Sequence, residues 1–321
     1  MRNNSNLHKA KKARADEFYT QYKDIEKEIQ NYNLEGKKIY CNCDDYRYSN
    51  FVKYFKDNFN TLKIAYLTAS NYDNGECAYR YEYDGVEEKI TALKGNGDFR
   101  SDECVELLKE ADVVITNPPF SQFREYIALL MKYDKKFIII GNGNAVTYKE
   151  IFPLIKENKM WMGASKGIGG KMHFLVPDTY QNKHNLKNEK GETLAQVNTS
   201  CWFTNIEHKK RHEPLDLYKR YSAGEYPKYD NYDAIESKTA EIPMDYDGVI
   251  GVPITFLDKY CPEQFEIIGG FNGYKECDYE SALLCGTRTE YVDKNGKIKT
   301  WTGPTVNRKA IYFRILIRAK H

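Results

Sequence analysis

Apolar positions along the chain change their period several times, and each change marks an element. In "DEFYTQYKDIEKEIQ", Tyr22, Ile25 and Ile29 recur at helical spacing and predict a helix over 16–30. Short β-prone runs follow, first "KKIYCNC" (37–43) and then "LKIAYLT" (62–68). "ADVVIT" (111–116) comes after the helical "SDECVELLKE", and "KKFIIIG" (135–141) after the helical "SQFREYIALLMKY". Apolar strands alternating with amphipathic helices predict an α/β fold, with βαβ units and a mostly parallel sheet covered on both faces.

The rhythm then breaks. "KMHFLVP" (171–177) and "TSCWFTNI" (199–206) are strand-like with no helix between them. This predicts an antiparallel hairpin carrying a polar loop at 178–197. Beyond Ile206 the chain is mixed and aromatic: "YPKYDNYDAIES" (226–237) reads as loop, and 248–271 as strand, short helix and strand. The final "RKAIYFRILIRAK" sets Ile311, Phe313, Ile315 and Ile317 on one face and Tyr312, Arg314, Leu316 and Arg318 on the other, predicting a strand with a partly basic face. The expected organisation is a domain at 1–206 and a second region at 207–321 packed on it.

Composition adds little to this picture. Of 321 residues 41% are hydrophobic, enough for a real core. The net charge is only +2, but it is uneven. Arg2, Lys9, Lys11, Lys12 and Arg14 precede any acid, and nine Lys/Arg stand against Glu290 and Asp293 from Thr287 onward. Basic ends fit a phosphate-facing surface. None of the eight cysteines forms Cys-x-x-Cys, which predicts reduced, mostly buried thiols in a cytoplasmic protein. His208 and His212 frame the basic "HKKRH" without the companions of a zinc site, so an exposed basic helix bearing Lys209, Lys210 and Arg211 is expected, and no metal. No apolar run approaches a membrane span, and the N-terminus has no signal-peptide core.

The chemistry-bearing stretch is "TNPPF", Thr116 to Phe120, directly after Val113-Val114-Ile115. Open α/β folds bind ligands at the carboxyl ends of their strands. Prolines stiffen this turn and remove N–H donors, leaving carbonyls as acceptors. The Asn117 side-chain oxygen and the Pro118 carbonyl can then hold both hydrogens of a planar amino group and stabilise the charge that grows on its nitrogen. Pro119 keeps the turn rigid, and Phe120 offers a flat face to the ring bearing that amine.

At this point the chain resembles a family. Asn-Pro-Pro-Phe in this place is similar to the amine-methylating motif of DNA adenine methyltransferases. "YCNCDDYRYSNFVKYF", "GNGDFRSDECVELLKEADVVITNPPFSQFREYI", "NTSCWFTNIEHKKRHEPL" and "VIGVPITFLDKY" together resemble the EcoRI-type adenine-specific enzymes, in order and over almost the whole chain. The resemblance implies a Rossmann-like methyltransferase fold, S-adenosyl-L-methionine (AdoMet) as methyl donor, no metal, and double-stranded DNA as partner. An adenine turned out of the duplex would be methylated at N6, and 207–321 would be the target-recognition region.

It also implies roles. Phe18, Tyr19 and Thr20 match the motif over the methionine part of AdoMet, although Gln21 stands where many relatives have Pro. The first strand ends in Cys41-Asn42-Cys43-Asp44-Asp45 without a Gly-x-Gly; Asp44 or Asp45 would meet the cofactor's ammonium, with a helix cap as the alternative for Asp45. Asp98 would accept from the cofactor's adenine amino group, with Phe99 packed on that ring. Ser70, Asn71 and Asp73 are open alternatives for the ribose. Trp202 would stack on the target base, a buried core aromatic being the competing reading. Lys209, Lys210, Arg211, Arg314 and Arg318 would face DNA. The resemblance leaves room for a cognate restriction endonuclease acting on the same site without a stable complex. The rival functions are methylation of an RNA or protein amine, and a catalytically silent DNA-binding protein.

Overall fold

The computed structural model describes residues 19–73, 78–176, 185–273 and 282–320. Phe18, Cys77, Cys277 and part of the 178–197 loop fall outside them. The chain divides into two compact units: 1–142, 163–166 and 170–206 form the first, and 143–162, 167–169 and 207–321 the second. Residues 143–162 and 167–169 thus belong to the second unit, although they lie within 1–206.

The first unit opens with β1 (Tyr19–Thr20) and α1 (Tyr22–Ile29), which buries Ile25 and Ile29 as their spacing requires. Then come β2 (Lys38–Asn42), α2 (Asn50–Asp57), the single turn α3 (Phe59–Leu62) and β3 (Tyr66–Ser70). Ser49 starts α2 by accepting from the N–H groups of Phe51 and Val52, satisfying two of the donors a helix leaves open. A hairpin follows, β4 (Tyr79–Tyr83) and β5 (Glu88–Ala92), which the sequence pattern did not disclose. Next are α4 (Asp102–Glu110), capped by Ser101, then β6 (Val113–Thr116), a 3-10 turn at Phe120–Gln122, α5 (Phe123–Lys132) and β7 (Lys136–Asn142).

These strands form one mixed sheet. Four of them, β3, β2, β6 and β7, are parallel neighbours in that order. Antiparallel β4 and β5 extend the β3 edge. The expectation of a mostly parallel sheet therefore narrows to its four central strands.

The late hairpin is also corrected. The second unit contributes α6 (Phe152–Lys156) and β8 (Trp161–Met162) before the chain returns as β9 (Lys171–Leu175), β10 (Leu186–Lys187), β11 (Thr193–Asn198) and β12 (Ser200–Thr204). The antiparallel partner of β9 is β11, not β12, and a separate sheet runs β1-β9-β11-β10. β12 instead pairs antiparallel with β7, adding to the main sheet. The chain switches sheets at Thr199, whose φ of 68° is rare for a β-branched residue. Half of β11 is polar, so its alternation looked like loop.

The first unit's core lies between α1, α2 and the sheet, with Ile25, Phe51, Phe55, Ile115, Ile138 and Trp202 in one cluster. Each such side chain contributes about 2 kcal/mol by leaving water.

The second unit is built on β13 (Ile235–Glu236), β14 (Ile250–Pro253), β15 (Phe265–Phe271), β16 (Leu283–Leu284) and the last strand, β21 (Arg314–Ala319). β21 lies between β14 and β15, antiparallel to both. Ile315, Leu316 and Ile317 are all fully buried. A central strand covered on both faces replaces the expected alternation, and only its ends carry Arg314 and Arg318. Two hairpins precede it: β17 (Thr289–Val292) with β18 (Ile298–Trp301), and β19 (Thr305–Val306) with β20 (Lys309–Ala310).

Cys41, Cys43, Cys104, Cys201 and Cys261 form no disulfide, but Cys285 is disulfide-bonded, which departs from the expectation of reduced thiols. No helix among the described residues is long and apolar enough to cross a membrane.

Candidate active site

β2 and β6 are adjacent and parallel, and the chain leaves β2 towards β3 on one side before returning as β6 on the other. The carboxyl ends of β2 and β6 therefore flank the point where strand order reverses, where a crevice opens. Asp44 follows the first end and Asn117 the second.

A hydroxyl joins the two ends. Thr116 Oγ1 lies 2.5 Å from Asp44 Oδ2 and is also hydrogen-bonded to the Asn42 carbonyl. A hydroxyl has one hydrogen. The carbonyl can only accept, so when Thr116 donates to it, the Asp44 contact requires a proton on the carboxyl. Burial pushes the Asp44 carboxyl up to about 7, against hydrogen bonds from Ser49 and Thr116 that lower it, while the charge of Asp45 raises it further. Ser49 Oγ donates to Asp44 Oδ1 at 2.7 Å. No cation among the described residues forms an ion pair with Asp44.

Asp45 behaves differently. It accepts from Arg47 N at 2.9 Å and pairs with the Arg47 guanidinium at 2.6 Å, closing the turn before α2. Just before the two acids the backbone supplies what a glycine would: Cys43 has φ of 69°. A left-handed turn is thus present without the Gly-x-Gly that usually makes one, at a cost of about 1 kcal/mol.

β1 reaches the same place. The Asn50 side chain donates to the Thr20 carbonyl at 2.8 Å, next to Ser49. Thr20 Oγ1 and Asn42 Nδ2 are buried polar atoms with no hydrogen-bond partner among the described residues. A carboxyl without a cation, an orphan hydroxyl and an orphan amide donor suit an amino-acid moiety that carries both charges.

On the β3 side, Asp73 N–H donates to the Asn96 carbonyl at 2.9 Å, bringing the 71–73 turn against "GNGDF". Gly97 is required there. Its φ is +73°, and a Cβ would fall 1.9 Å from the Asn71 carbonyl oxygen. Asp98 pairs with Arg100 through Nε at 2.9 Å and Nη2 at 2.6 Å, and the guanidinium holds its carboxyl below the usual range. Phe99 is buried and T-shaped to Tyr126, with centroids 5.0 Å apart, and the Arg100 guanidinium lies 5.1 Å from its ring centroid.

In the turn itself, the Pro119 carbonyl is consumed by Gln122 N–H at 2.9 Å, while no donor among the described residues bonds the Pro118 carbonyl. Phe120 is half-buried against the main core. The structure thus brings together Thr20, Asp44 and Asn117–Phe120 through Asn50, Ser49 and Thr116. Sequence reading named the first set and missed the connectors. Their signal was adjacency to the motifs.

The whole chain can be compared with known proteins. The model of the adenine-specific methyltransferase EcoRI family matches residues 6–320. The Type II methyltransferase M.EcoRI of Escherichia coli is 45% identical over 99% of this chain and 97% of its own length. The chain belongs to the EcoRI-type adenine-specific methyltransferases. Two further relatives, the Type II methyltransferases M.MgeORF184P of Mycoplasma genitalium and M.MpnI of Mycoplasma pneumoniae, are 40% and 39% identical, each over 82% of this chain and over 85% and 84% of their own lengths. No solved structure matches. The chain is accordingly an enzyme, a DNA methyltransferase specific for adenine.

Within this methyltransferase, several residues expected at DNA or base are engaged elsewhere. Trp202 is fully buried, edge-on to Phe51 at 6.0 Å, while Phe203 packs on Phe123 across the strand. Neither face of β12 is open to a base. "HKKRH" is no exposed α-helix but a 3-10 turn, Lys209–His212. Arg211 is buried in it, 3.6 Å above the Trp161 ring, and bonds Glu207 and Asn158, both at 2.7 Å. It is internal because the indole face and two acceptors replace its water. His212 is held by Glu207 and Glu263, which raise its pKa. Lys209 stays exposed and Lys210 half-buried. Arg314 is bound to Glu236 at 2.7 Å, whereas Arg318, opposite Glu266, stays exposed.

Proposed function

We propose that this methyltransferase moves the AdoMet methyl group to N6 of an adenine turned out of duplex DNA, at the carboxyl ends of β2 and β6, on a Rossmann-like methyltransferase fold. The observation that carries this reading is the hydrogen bond between Asp44 and Thr116, the residue that directly precedes Asn117. It sets a cation-seeking carboxyl one residue from an amine-accepting turn.

AdoMet, when bound, supplies an electrophilic methyl group on a sulfonium. Asp44 would hold its ammonium, and Thr20 Oγ1 and Asn42 Nδ2 would supply hydrogen bonds to its carboxylate. Tyr19 extends the same strand. Asp98 would take the cofactor's adenine amino group, since Oδ2 accepts only Arg100 Nη2 and keeps a lone pair free. The Asn117 oxygen and the Pro118 carbonyl would accept both hydrogens of the target amine, and these preset dipoles stabilise the charge developing on its nitrogen. Phe120 would lie against the base. An adenine paired in the helix cannot present its amine to this turn, so the base must leave the stack. The second unit would carry target recognition. The proposed counterpart in the cell is a restriction endonuclease of the same site, with no stable complex between the two. A DNA substrate supports a cytoplasmic location.

The test is incubation with methyl-labelled AdoMet and unmethylated duplex DNA, followed by mapping of modified bases. Wild type should place N6-methyladenine in one short sequence. Asn117→Ala should bind DNA normally and lose about 100-fold or more in kcat, the cost of one preset dipole at a developing charge. Label appearing in RNA or protein instead of DNA would sink the substrate assignment.

A further inference from the structure

In the second unit, β17 and β18 pair only with each other among the described strands, while the Val292 N–H donates to the Arg308 carbonyl at 2.9 Å. Its register places Glu290 opposite Thr300 and Val292 opposite Ile298 on one face. All four are exposed, Val292 to 40% and Ile298 to 61%. The other face is anchored: Tyr291 meets Trp301 edge-on at 5.9 Å, and the indole fills the space left by the missing side chains of Gly273 and Gly303. So the ribbon has a fixed base, one seated face, and one face on which Arg288 bonds Thr300 at 2.9 Å while an exposed apolar pair lies near the tip.

The tip is rigid. Asp293 Oδ1 accepts from the N–H groups of Asn295 at 2.9 Å and Lys297 at 3.0 Å, and Gly296 turns the chain at φ +78°. Lys299 is tied to Asp293 at 2.8 Å, but Lys294 and Lys297 are exposed and carry no ion pair among the described residues. Residues 287–310 hold six cations against two acids, a surplus of four. The whole chain has a surplus of only two, so everything outside this segment is net negative. The positive charge is concentrated on the ribbon and the neighbouring β19–β20 turn, where Arg308 lies 3.5 Å from Glu290.

We propose that the β17–β18 ribbon enters a groove of the DNA substrate and reads it, a role that rests on the DNA-methylating function above. A two-stranded ribbon fits the major groove, about 12 Å wide. Lys294 and Lys297 at the tip meet phosphates, and the exposed Val292–Ile298 pair faces the base edges, where thymine methyl groups offer apolar contact. A two-stranded hairpin covered on one face only gains little from its own packing. A partner on the other face gives the apolar pair something to bury against.

The full chain is used for the test. Lys294→Ala with Lys297→Ala should weaken duplex binding about tenfold near physiological salt and lower the slope of log K against log salt by about two, one per lost phosphate contact. Its kcat at saturating DNA should stay at the wild-type value. Val292→Ser with Ile298→Ser should shrink at least tenfold the ratio of kcat/KM between the recognised sequence and its single-base variants. Wild-type affinity, slope and discrimination in both doubles would overturn the proposal. So would a lysine effect with discrimination untouched, or altered self-association with DNA binding unchanged. A wild-type enzyme that labels no DNA fails earlier and removes the parent reading instead.

Discussion

At the scale of the residue, Asp44 decides how the site responds to pH. Its carboxyl is a weaker acid in the folded chain, titrating at about 7, than the ordinary value of 3.8 it has when unfolded. The folded state therefore holds the extra proton between those values. The stabilisation this brings is complete below about pH 4 and lost as pH rises through 7. Binding of an ammonium reverses the preference, because the cation favours the ionised form. AdoMet affinity should then increase from pH 6 to pH 8 with an inflection near 7, and Asp44→Asn should bind weakly with a flat profile. Calorimetric titration across that range checks both, and a flat wild-type curve would rule out Asp44 as the ammonium site. Gly97 is a second decisive residue. Gly97→Ala combines a left-handed φ with a clash on Asn71, so the stability loss should be at least about 2 kcal/mol, read from urea midpoints. Among these residues the motif members were legible in the sequence, because Asn-Pro-Pro-Phe has a chemistry that few other uses require. Thr116 and Ser49 were not, since a lone hydroxyl is common and its partner depends on a strand neighbour distant in the chain.

At the scale of elements, α1 depends on one acid. Glu28 is fully buried and accepts from Ala164 N at 2.8 Å, Ser165 N at 2.7 Å, the Ser165 hydroxyl, and Tyr32 Oη at 2.5 Å. It joins α1 to the 163–166 segment, which also bonds β12 through Gly163 N–H to the Trp202 carbonyl. Glu28→Ala would strand these donors without water and should destabilise the first unit by about 3 kcal/mol, whereas an exposed neighbour such as Glu26→Ala should cost less than about 0.5 kcal/mol. Comparison of their denaturant midpoints separates the two. The sequence disclosed α1 by its apolar spacing but gave no hint that Glu28, at a position adjacent to Ile29, turned inward. Strands were read well where both faces are buried, as in β6 and β7, because a short, continuous apolar run between polar turns suits little but a strand covered on both sides. They were misread where burial is one-sided or comes from a distant partner. β4 and β5 carry Tyr, Arg, Glu and Lys in place of an apolar run, and β21 alternates like a one-sided strand although β14 and β15 flank it on both edges.

At the scale of the molecule, the path of the chain sets where its length can change. Asn198 pairs with Lys171 in one sheet and Ser200 with Asn142 in another, so Thr199 alone spans the passage between them. The exposed turn at 188–191 in the same unit has no such duty. One Gly inserted after Lys190 should cost less than about 1 kcal/mol, because lengthening a surface loop is cheap. One Gly inserted after Thr199 should abolish cooperative unfolding of the first unit or its methyl-transfer activity, measured side by side. The reason is parity. A strand alternates its faces every residue, so a single added residue would turn Trp202 to the side of Phe123 and Phe203 to the side of Phe51. Insertions and deletions tolerated in this family should therefore fall in the turn and avoid the junction, leaving a gap-free stretch around Thr199 whenever related chains are aligned.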